Sequence, residues 1–260
     1  MQLSSPHNPI LKSIRRASKE GRPADCGCIV IEGPHLLAEA LQTNSKWSVE
    51  RIFTAPPGRQ THQDLLRTAQ AEITEVSTRA FRSISGTETT QELIALARPA
   101  RWSWADLISR AGVILVLDGV QDPGNAGTLI RSAEAFGAAG VILLEGCARI
   151  SNGKLLRATA GSIFRTPFLE CVSRLEFAAE STRNHLSLYA LAAKGDFVLR
   201  QADFTRPCAL VVGSEGQGIA REILANAQTL AIPTLRVESL NAAVAGSIAL
   251  FEAARQRGAA

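Results

Sequence analysis

Residues 113–117 read Val-Ile-Leu-Val-Leu, apolar without a break, and Asp118 and Gly119 follow at once. A strand with one wet face alternates apolar and polar residues. A strand with no alternation is covered on both faces, the position it takes in a parallel sheet between two helical layers. The runs "GVILLEG" and "CALVVGSEG" repeat the pattern, and "LSLYALAA" and "TLAIP" read as further strands. Helix-like segments lie between or after them: about Gly127 to Phe136, "GKLLRATAG", "RLEFAAEST" and the C-terminal "NAAVAGSIALFEAARQ". Strands alternating with helices predict a doubly wound α/β domain over 112–260.

Residues 1–98 alternate on a smaller scale. "NPILKSIRRASKE" predicts a short amphipathic helix with a basic back, and "GCIVIEG", "VERIFTA", "EITEVS" and "ELIALAR" predict strands. "PHLLAEALQ", "HQDLLRTAQ" and "TRAFRSIS" predict helices, the last capped by Ser77 or Thr78. Pro56 and Pro57 end the second strand. Residues 99–111, with Pro99, Trp102 and Trp104, read as a linker holding a short helix.

Length suits one large domain or two modest ones, and 46% hydrophobic residues exclude disorder as the main state. The net charge of +4 leans mildly toward polyanions. Lys12, Arg15, Arg16, Lys19 and Arg22 against Glu20 give residues 1–22 a surplus of four by themselves. No apolar run reaches the roughly 20 residues of a membrane span, and the N-terminus lacks a signal peptide's apolar stretch, so a cytoplasmic location is expected. Cys147, Cys171 and Cys208 lie in or near apolar segments and are expected to be buried thiols. Cys26 and Cys28 are too close for a zinc pair and the histidines are scattered, so no metal site is expected.

In a sheet of this kind, ligands sit where the carboxyl ends of strands meet loops. Three such ends carry unusual loops: "DGVQDPGNAGTLIR", "VVGSEGQGI" and "IPTLRVESLNAAVAG". A Walker loop fails at the first, because Asn125 and Ala126 stand where Lys and Ser/Thr are required after Gly119 and Gly124. The dinucleotide fingerprint fails at the second, where Gly216 and Gly218 are followed by Arg221 in place of the third glycine. The loops are therefore expected to hold a ligand that presents no phosphate chain.

In this order, "DGVQDPGNAGTLIRSAEAFG", "LVVGSEGQGI" and "IPTLRVESLNAAVAGSIALFEAAR" resemble the three motifs of the SpoU (TrmH-type) RNA 2′-O-ribose methyltransferases of the SPOUT superfamily. "KLLRATAGSIFRTPF" is similar to the family's segment between the first two motifs. "NPILKSIRRASKE…IVIEGPHLLAEAL" is similar to the opening of its N-terminal substrate-binding domain. The resemblance implies a C-terminal parallel-sheet SPOUT domain with a trefoil knot, beside a smaller N-terminal α/β domain. It implies S-adenosylmethionine as cofactor, RNA as substrate with rRNA favoured over tRNA, and a homodimer formed through the C-terminal domain. No fold rule would have given the knot.

The resemblance also assigns residues. Asn125, Arg131, Glu215, Ser239 and Asn241 match the family's catalytic positions. Leu210, Gly213, Glu215, Gly218, Ile232 and Leu240 match the cofactor cleft. Arg131 either activates the ribose hydroxyl or, since a guanidinium pKa lies above about 12, stabilises the alkoxide or pins a phosphate. Asn125 orients Arg131 or the ribose, or simply serves a turn between glycines. Glu215 fixes an arginine or a ligand hydroxyl. Ser239 or Asn241 caps the last helix, a role compatible with presenting N–H groups to a ligand. "SLNAAVA" has Ala242-Ala243 where relatives carry Val-Ser, which removes one hydroxyl. Lys12, Arg15, Arg16, Lys19 and Arg22 are the expected RNA contacts. An inactive RNA-binding paralogue is countered by the intact motif residues, and a dehydrogenase by the failed dinucleotide fingerprint.

Overall fold

The computed structural model describes residues 3–87 and 90–259. In chain order the helices are α1 (Pro9–Glu20), α2 (Pro34–Ala40), α3 (Pro56–Thr61), α4 (Gln63–Thr68), α5 (Thr78–Arg82), α6 (Trp104–Ile108), α7 (Pro123–Ala135), α8 (Gly153–Ala158), α9 (Arg174–Arg183), α10 (Arg221–Leu224) and α11 (Ala242–Gln256). The strands are β1 (Ile29–Glu32), β2 (Ser48–Thr54), β3 (Glu72–Glu75), β4 (Leu93–Arg98), β5 (Val113–Asp118), β6 (Gly140–Leu144), β7 (Phe168–Val172), β8 (Ser187–Leu191), β9 (Phe197–Val198), β10 (Cys208–Gly213) and β11 (Gln228–Ala231). They fall into two compact units. Unit 1 is Met1–Arg101 with Arg149–Arg165, and unit 2 is Trp102–Ala148 with Thr166–Ala260.

Unit 1 is built on a four-stranded sheet in the order β1-β4-β2-β3, in which β4 runs antiparallel to β1 and β2 while β2 and β3 are parallel. One core packs Leu11, Ile14 and Ala17 of α1 with Phe53, Phe81 and Ile94, and a second packs Leu37 with Ile52 and Leu66. Asn8 caps α1 by accepting from Ile10 N–H, Pro9 opens it, and left-handed Gly21 ends it. Ser77 caps α5. Pro56 and Pro57, expected only to end β2, also start α3, because proline suits a first helical turn. Segment 149–165, expected within the second domain, belongs to this unit by its contacts. Ser151 Oγ donates to Gly21 O at 2.6 Å, and Trp47 meets the Phe164 ring edge-on at 5.1 Å between centroids. Arg165 donates to Glu39 at 2.6 Å.

Unit 2 holds a seven-stranded sheet in the order β7-β6-β5-β10-β8-β11-β9, parallel in every pairing. All six residues of β5 and all five of β6 are buried, as unbroken apolar runs require. Strands β7 and β9, not anticipated from sequence, form the two edges. The expected linker is packed from Trp102 onward: Leu107 is buried in the core, and Trp104 stacks on Phe177 and donates from Nε1 to Glu176 at 3.0 Å. A reciprocal Ser103–Asp106 capping box starts α6. Cys208 is buried as expected and Cys147 half-buried, but Cys171 is exposed. The register of β7 shifts beside it, so Cys171 is the extra residue of a bulge, with φ +60°, and turns outward. Among the described residues no helix is long and apolar enough to cross a membrane, and no group of three His, Cys, Asp or Glu is placed to hold a metal ion.

Candidate active site

The three singled-out loops follow β5, β10 and β11. The first is shorter than its glycines suggest, because α7 begins at Pro123, four residues before the expected start. Asp122 caps it, accepting from Asn125 N–H at 2.8 Å, so Gly124, Asn125 and Gly127 are helical. The second loop turns back on its strand. Gly218 N–H donates to Ser214 O at 2.9 Å, and a Cβ on Gly213 would stand 2.4 Å from the Gly218 carbonyl carbon. Gly213 is thus required by the loop's own backbone rather than by an approaching ligand. The third loop leads into α11, which Asn241, not Ser239, caps: its Oδ1 accepts from Ala243 N–H at 2.9 Å and Val244 N–H at 3.2 Å.

These local devices bring three of the expected residues to one point. Asn125 Nδ2 donates to Glu215 Oε1 at 3.1 Å. Asn241 Nδ2 donates to the same Glu215 oxygen at 2.5 Å and to Asn125 Oδ1 at 3.1 Å. Glu215 is the acceptor on which all three loops converge. Hydrogen bonds to the carboxylate are about twice as strong as neutral ones, so the network fixes the mutual position of three segments far apart in sequence.

Beside the network lies a cavity of about 630 Å³, within the size of small-molecule sites. Its wall comes from the carboxyl ends of β8, β10 and β11 and from the start of α11. Of the residues assigned to a cofactor cleft, Gly213, Glu215, Gly218, Ile232 and Leu240 line it, and so do Ser239 and Asn241, which were assigned to catalysis. Leu210 does not: it is fully buried inside β10, and Val212, two residues further on the same face, lines the cavity instead. Leu191 and Leu230 also line it and lie outside the motif loops, while Thr234 and Glu238 line it from within the third motif without having been singled out. No Lys or Arg lines the cavity, while Glu215 and Glu238 do. An apolar wall with two carboxylates fits a cationic, phosphate-free ligand. It does not fit a nucleotide phosphate chain.

Arg131 stands apart from the network. It follows Asn125 by six residues on α7, which amounts to about 9 Å of rise and about 240° of turn. It is exposed and forms no hydrogen bond or ion pair among the described residues. The helix carrying it packs on α11: Ser132 and Ser247 hydroxyls meet at 2.7 Å, and Phe136 packs edge-on to Phe251. Gly246 is needed there, since a Cβ would fall 2.3 Å from Leu129.

Sequence reasoning passed over Asp118, the acid that ends an otherwise apolar, buried strand. Its Oδ1 accepts from Arg174 Nε at 2.9 Å and from Nη2 at 2.7 Å, and its Oδ2 from Ala220 N–H at 2.8 Å. Its backbone oxygen accepts from Ser214 N–H at 3.1 Å. Asp118 therefore holds both ends of the loop that carries Glu215, and its hydrogen bond, then its charge, raise the Arg174 guanidinium above its ordinary pKa.

The basic residues of unit 1 divide. Lys12, Arg16, Lys19 and Arg22 are exposed, the first three along one stripe of α1. Arg16 pairs with Asp25 at the surface. Arg15 is half-buried and structural, donating to Ser83 O at 2.7 Å and to Ser83 Oγ at 2.5 Å.

The sequence profile of the SpoU rRNA Methylase family matches residues 112–251, and that of the MRM3-like substrate binding domain matches residues 8–95. The 23S rRNA (guanosine(2553)-2′-O)-methyltransferase RlmP of Bacillus subtilis is 31% identical over 96% of this chain and 98% of its own. The 23S rRNA (guanosine-2′-O-)-methyltransferase RlmB of Ralstonia nicotianae is 31% identical over 86% of this chain and 94% of its own. Among solved structures, the SpoU methyltransferase AviRb from Streptomyces viridochromogenes in complex with AdoMet superposes with a TM-score of 0.83 at 25% identity, covering 96% of this chain and 98% of that one. An AdoMet-bound rRNA methyltransferase from Sinorhizobium meliloti gives 0.79 at 28% identity, covering 98% and 97%. With more than half of its residues matched by the methylase profile and nearly its whole length by relatives at this identity, the chain belongs to the SpoU rRNA methylase family.

Proposed function

We propose that this chain, an S-adenosylmethionine-dependent RNA methyltransferase by its family, methylates the 2′-hydroxyl of a ribose in rRNA. The observation that carries the reading is the cavity of unit 2, lined by the second and third motif loops, with carboxylates but no cation on its wall and Asn125 of the first loop bonded to its Glu215. S-adenosylmethionine brings a sulfonium methyl group, displaced directly by the ribose oxygen, and needs no phosphate counter-charge. Leu191, Val212, Leu230, Ile232 and Leu240 supply the apolar wall for its adenine. Glu215 and Glu238 favour its positive charge. The Asn125–Glu215–Asn241 network keeps the loops in one arrangement, so that little reordering accompanies binding. Ser239, on the cavity wall, is placed for a ligand hydroxyl.

Arg131 is assigned the acceptor side. A guanidinium is a poor base at neutral pH, so its role is to hold the phosphate next to the target ribose and to stabilise the emerging alkoxide. Its distance from the Asn125 network is consistent with a site completed by a second copy of the chain. Val244, Ile248 and Phe251 are 47%, 38% and 48% exposed at i, i+4 and i+7 of α11, an apolar stripe that supports a homodimer through unit 2. The trefoil knot of the family is part of this proposal for the β10–α11 region. The rRNA preference follows relatives named as 23S rRNA methyltransferases.

The test is transfer of labelled methyl from S-adenosylmethionine to rRNA, followed by mapping of the modified ribose. A single ribose 2′-O-methyl site in rRNA is expected. Methylation confined to tRNA, or to a base, overturns the substrate assignment.

A further inference from the structure

We infer that a second RNA-contacting site lies in unit 1, in a polar cavity that binds a phosphodiester of the RNA strand and is built partly from segment 149–165. The site rests on the RNA reading above and deepens it. The cavity has a volume of about 260 Å³ and lies between the C-terminal end of α1, β1 and the start of α8. Lys19, Lys154 and Arg157 line it, all three exposed. Ser18 lines it as well, and its hydroxyl oxygen is buried without any hydrogen-bond partner. A buried hydroxyl left unpaired costs free energy, which turning the Ser18 side chain toward a ligand oxygen in the cavity recovers.

The geometry is held from both sides. Ser151 Oγ fastens the segment to Gly21 O, and Asn152 caps α8 by accepting from Lys154 N–H at 2.8 Å. Two acids also line the cavity, Glu20 and Glu32. The Glu32 carboxylate is engaged by the 85–87 loop. Its Oε1 accepts from Ser85 Oγ at 2.5 Å and Thr87 Oγ1 at 2.8 Å, and its Oε2 from Gly86 N–H at 2.9 Å. Its oxygens thus already accept three hydrogen bonds from that loop.

Charge separates the two units and selects the ligand class. Segment 149–165 carries four cations and no acid, equal to the surplus of residues 1–22, while residues 23–101 carry a deficit of one. Unit 1 therefore has a surplus of seven positive charges, and with a whole-chain charge of +4 unit 2 is left at −3. A polyanion binds unit 1, and more than half of that surplus comes from a segment outside the 8–95 match to a substrate-binding domain. Lys154 and Arg157 lie within the 112–251 match to the methylase family and group with unit 1 by their contacts.

The experiment uses the full chain, a single-stranded RNA oligomer and an rRNA fragment, with affinity measured between about 50 and 200 mM salt. Replacing Lys19, Lys154 and Arg157 together by Gln is expected to weaken RNA binding about tenfold or more. It should flatten the log–log salt slope by about 0.7, the share of the one phosphate that the three cations neutralise on a single strand. S-adenosylmethionine affinity and melting temperature should stay unchanged. Ser18→Ala should weaken binding severalfold with no change of slope. If the parent chain binds RNA with a steep salt slope and the triple variant matches it in affinity and slope, the site is wrong and the RNA reading stands. If the parent shows no salt-dependent RNA binding, the RNA reading itself fails and the site with it. A variant weakened on an acidic polypeptide but not on RNA also overturns the site, and assigns the cavity to protein.

Discussion

The two units solve different problems with the same alternation of strands and helices. Unit 2 is a wholly parallel sheet whose strands β5, β6 and β10 are buried on both faces, net acidic, with its cavity at the carboxyl ends of three strands. Unit 1 is a mixed sheet of four strands, net basic, with its charge spread over α1 and the 149–157 segment. A cationic cofactor and a polyanionic substrate make opposite demands on a surface. The two charge signs are divided between the two compact units, so each demand is matched by the net charge of one unit. Changes in unit 2 should therefore move cofactor affinity and turnover, and changes in unit 1 should move RNA affinity and its salt dependence.

The largest expected effect is at Arg131. Arg131→Ala should lower methyl transfer by roughly three powers of ten or more, with fold and S-adenosylmethionine affinity nearly unchanged, since the side chain makes no contact that the fold needs. Arg131→Lys separates charge from geometry. Much of the rate survives if charge suffices, and about two to three powers of ten are lost if the planar fork is needed. Near-normal turnover of the alanine variant on rRNA would make Arg131 an ordinary surface residue.

Next comes the network. Asn241→Ala removes both the cap of α11 and two hydrogen bonds to the Asn125–Glu215 pair. Loss of the cap costs about 1 kcal/mol of stability. Loss of the loop arrangement should weaken S-adenosylmethionine binding about tenfold or more, measured by calorimetry. Asn241→Asp keeps the cap acceptor but sets a second carboxylate against Glu215, so it should retain stability better than affinity. RNA affinity should not change in either variant, and a parallel loss of RNA binding would contradict the division between units.

The complementary test in unit 1 has a smaller effect. Neutralising Lys12, Arg16, Lys19 and Arg22 should reduce RNA affinity several- to tenfold and flatten the salt slope, leaving cofactor affinity intact. Arg15→Gln should instead lower the melting temperature, because Arg15 holds the 83 turn through its bonds to Ser83. An unchanged salt slope in the fourfold variant would leave α1 as a solvated face.

What the sequence disclosed followed from how each feature is encoded. The buried strands β5, β6 and β10 were legible because burial on both faces removes every polar residue from the run. The edge strands β7 and β9 were not. Phe168–Val172 carries Glu170 and a bulge, and Phe197–Val198 is two residues long, so neither makes a period. The start of α7 was hidden because Pro-Gly-Asn-Ala-Gly reads locally as a turn, and only the Asp122 cap makes it a helix. Asn125, Glu215 and Asn241 were legible as motif residues, but their meeting at one carboxylate depends on tertiary placement. Asp118 left a signal, an acid ending an apolar run, whose partner Arg174 lies in an unremarkable helix start. The membership of 149–165 in unit 1 had no local signal at all, since chain order places it between two strands of unit 2.

The smallest effect tests whether α11, which presents Asn241, is braced by its own charges. Glu252 accepts from Arg255 Nε and Nη2 at 2.8 Å each and from Gln256 Nε2 at 2.9 Å. Arg255, then Gln256, pull the Glu252 pKa down from 4.5 to about 2. A carboxylate whose folded pKa lies below its unfolded value stabilises the fold above the unfolded value, and that stability is lost as pH falls through the folded one. The contribution should thus be complete at pH 7, decline below about 4.5 and be gone near 2. Its size should nonetheless be small. Arg255 is 57% exposed, water and salt screen the pair, and exposed pairs one helical turn apart bring about 0.5 kcal/mol or less. Glu252→Gln should lower stability by that amount at neutral pH, and the difference from the parent should vanish toward pH 2 and shrink in high salt. Gln256 also donates to Ala202 O and accepts from Phe204 N–H, so it stays in place when Glu252 is neutralised. A difference that persists at pH 2 would mean that packing, not charge, makes the contribution of Glu252.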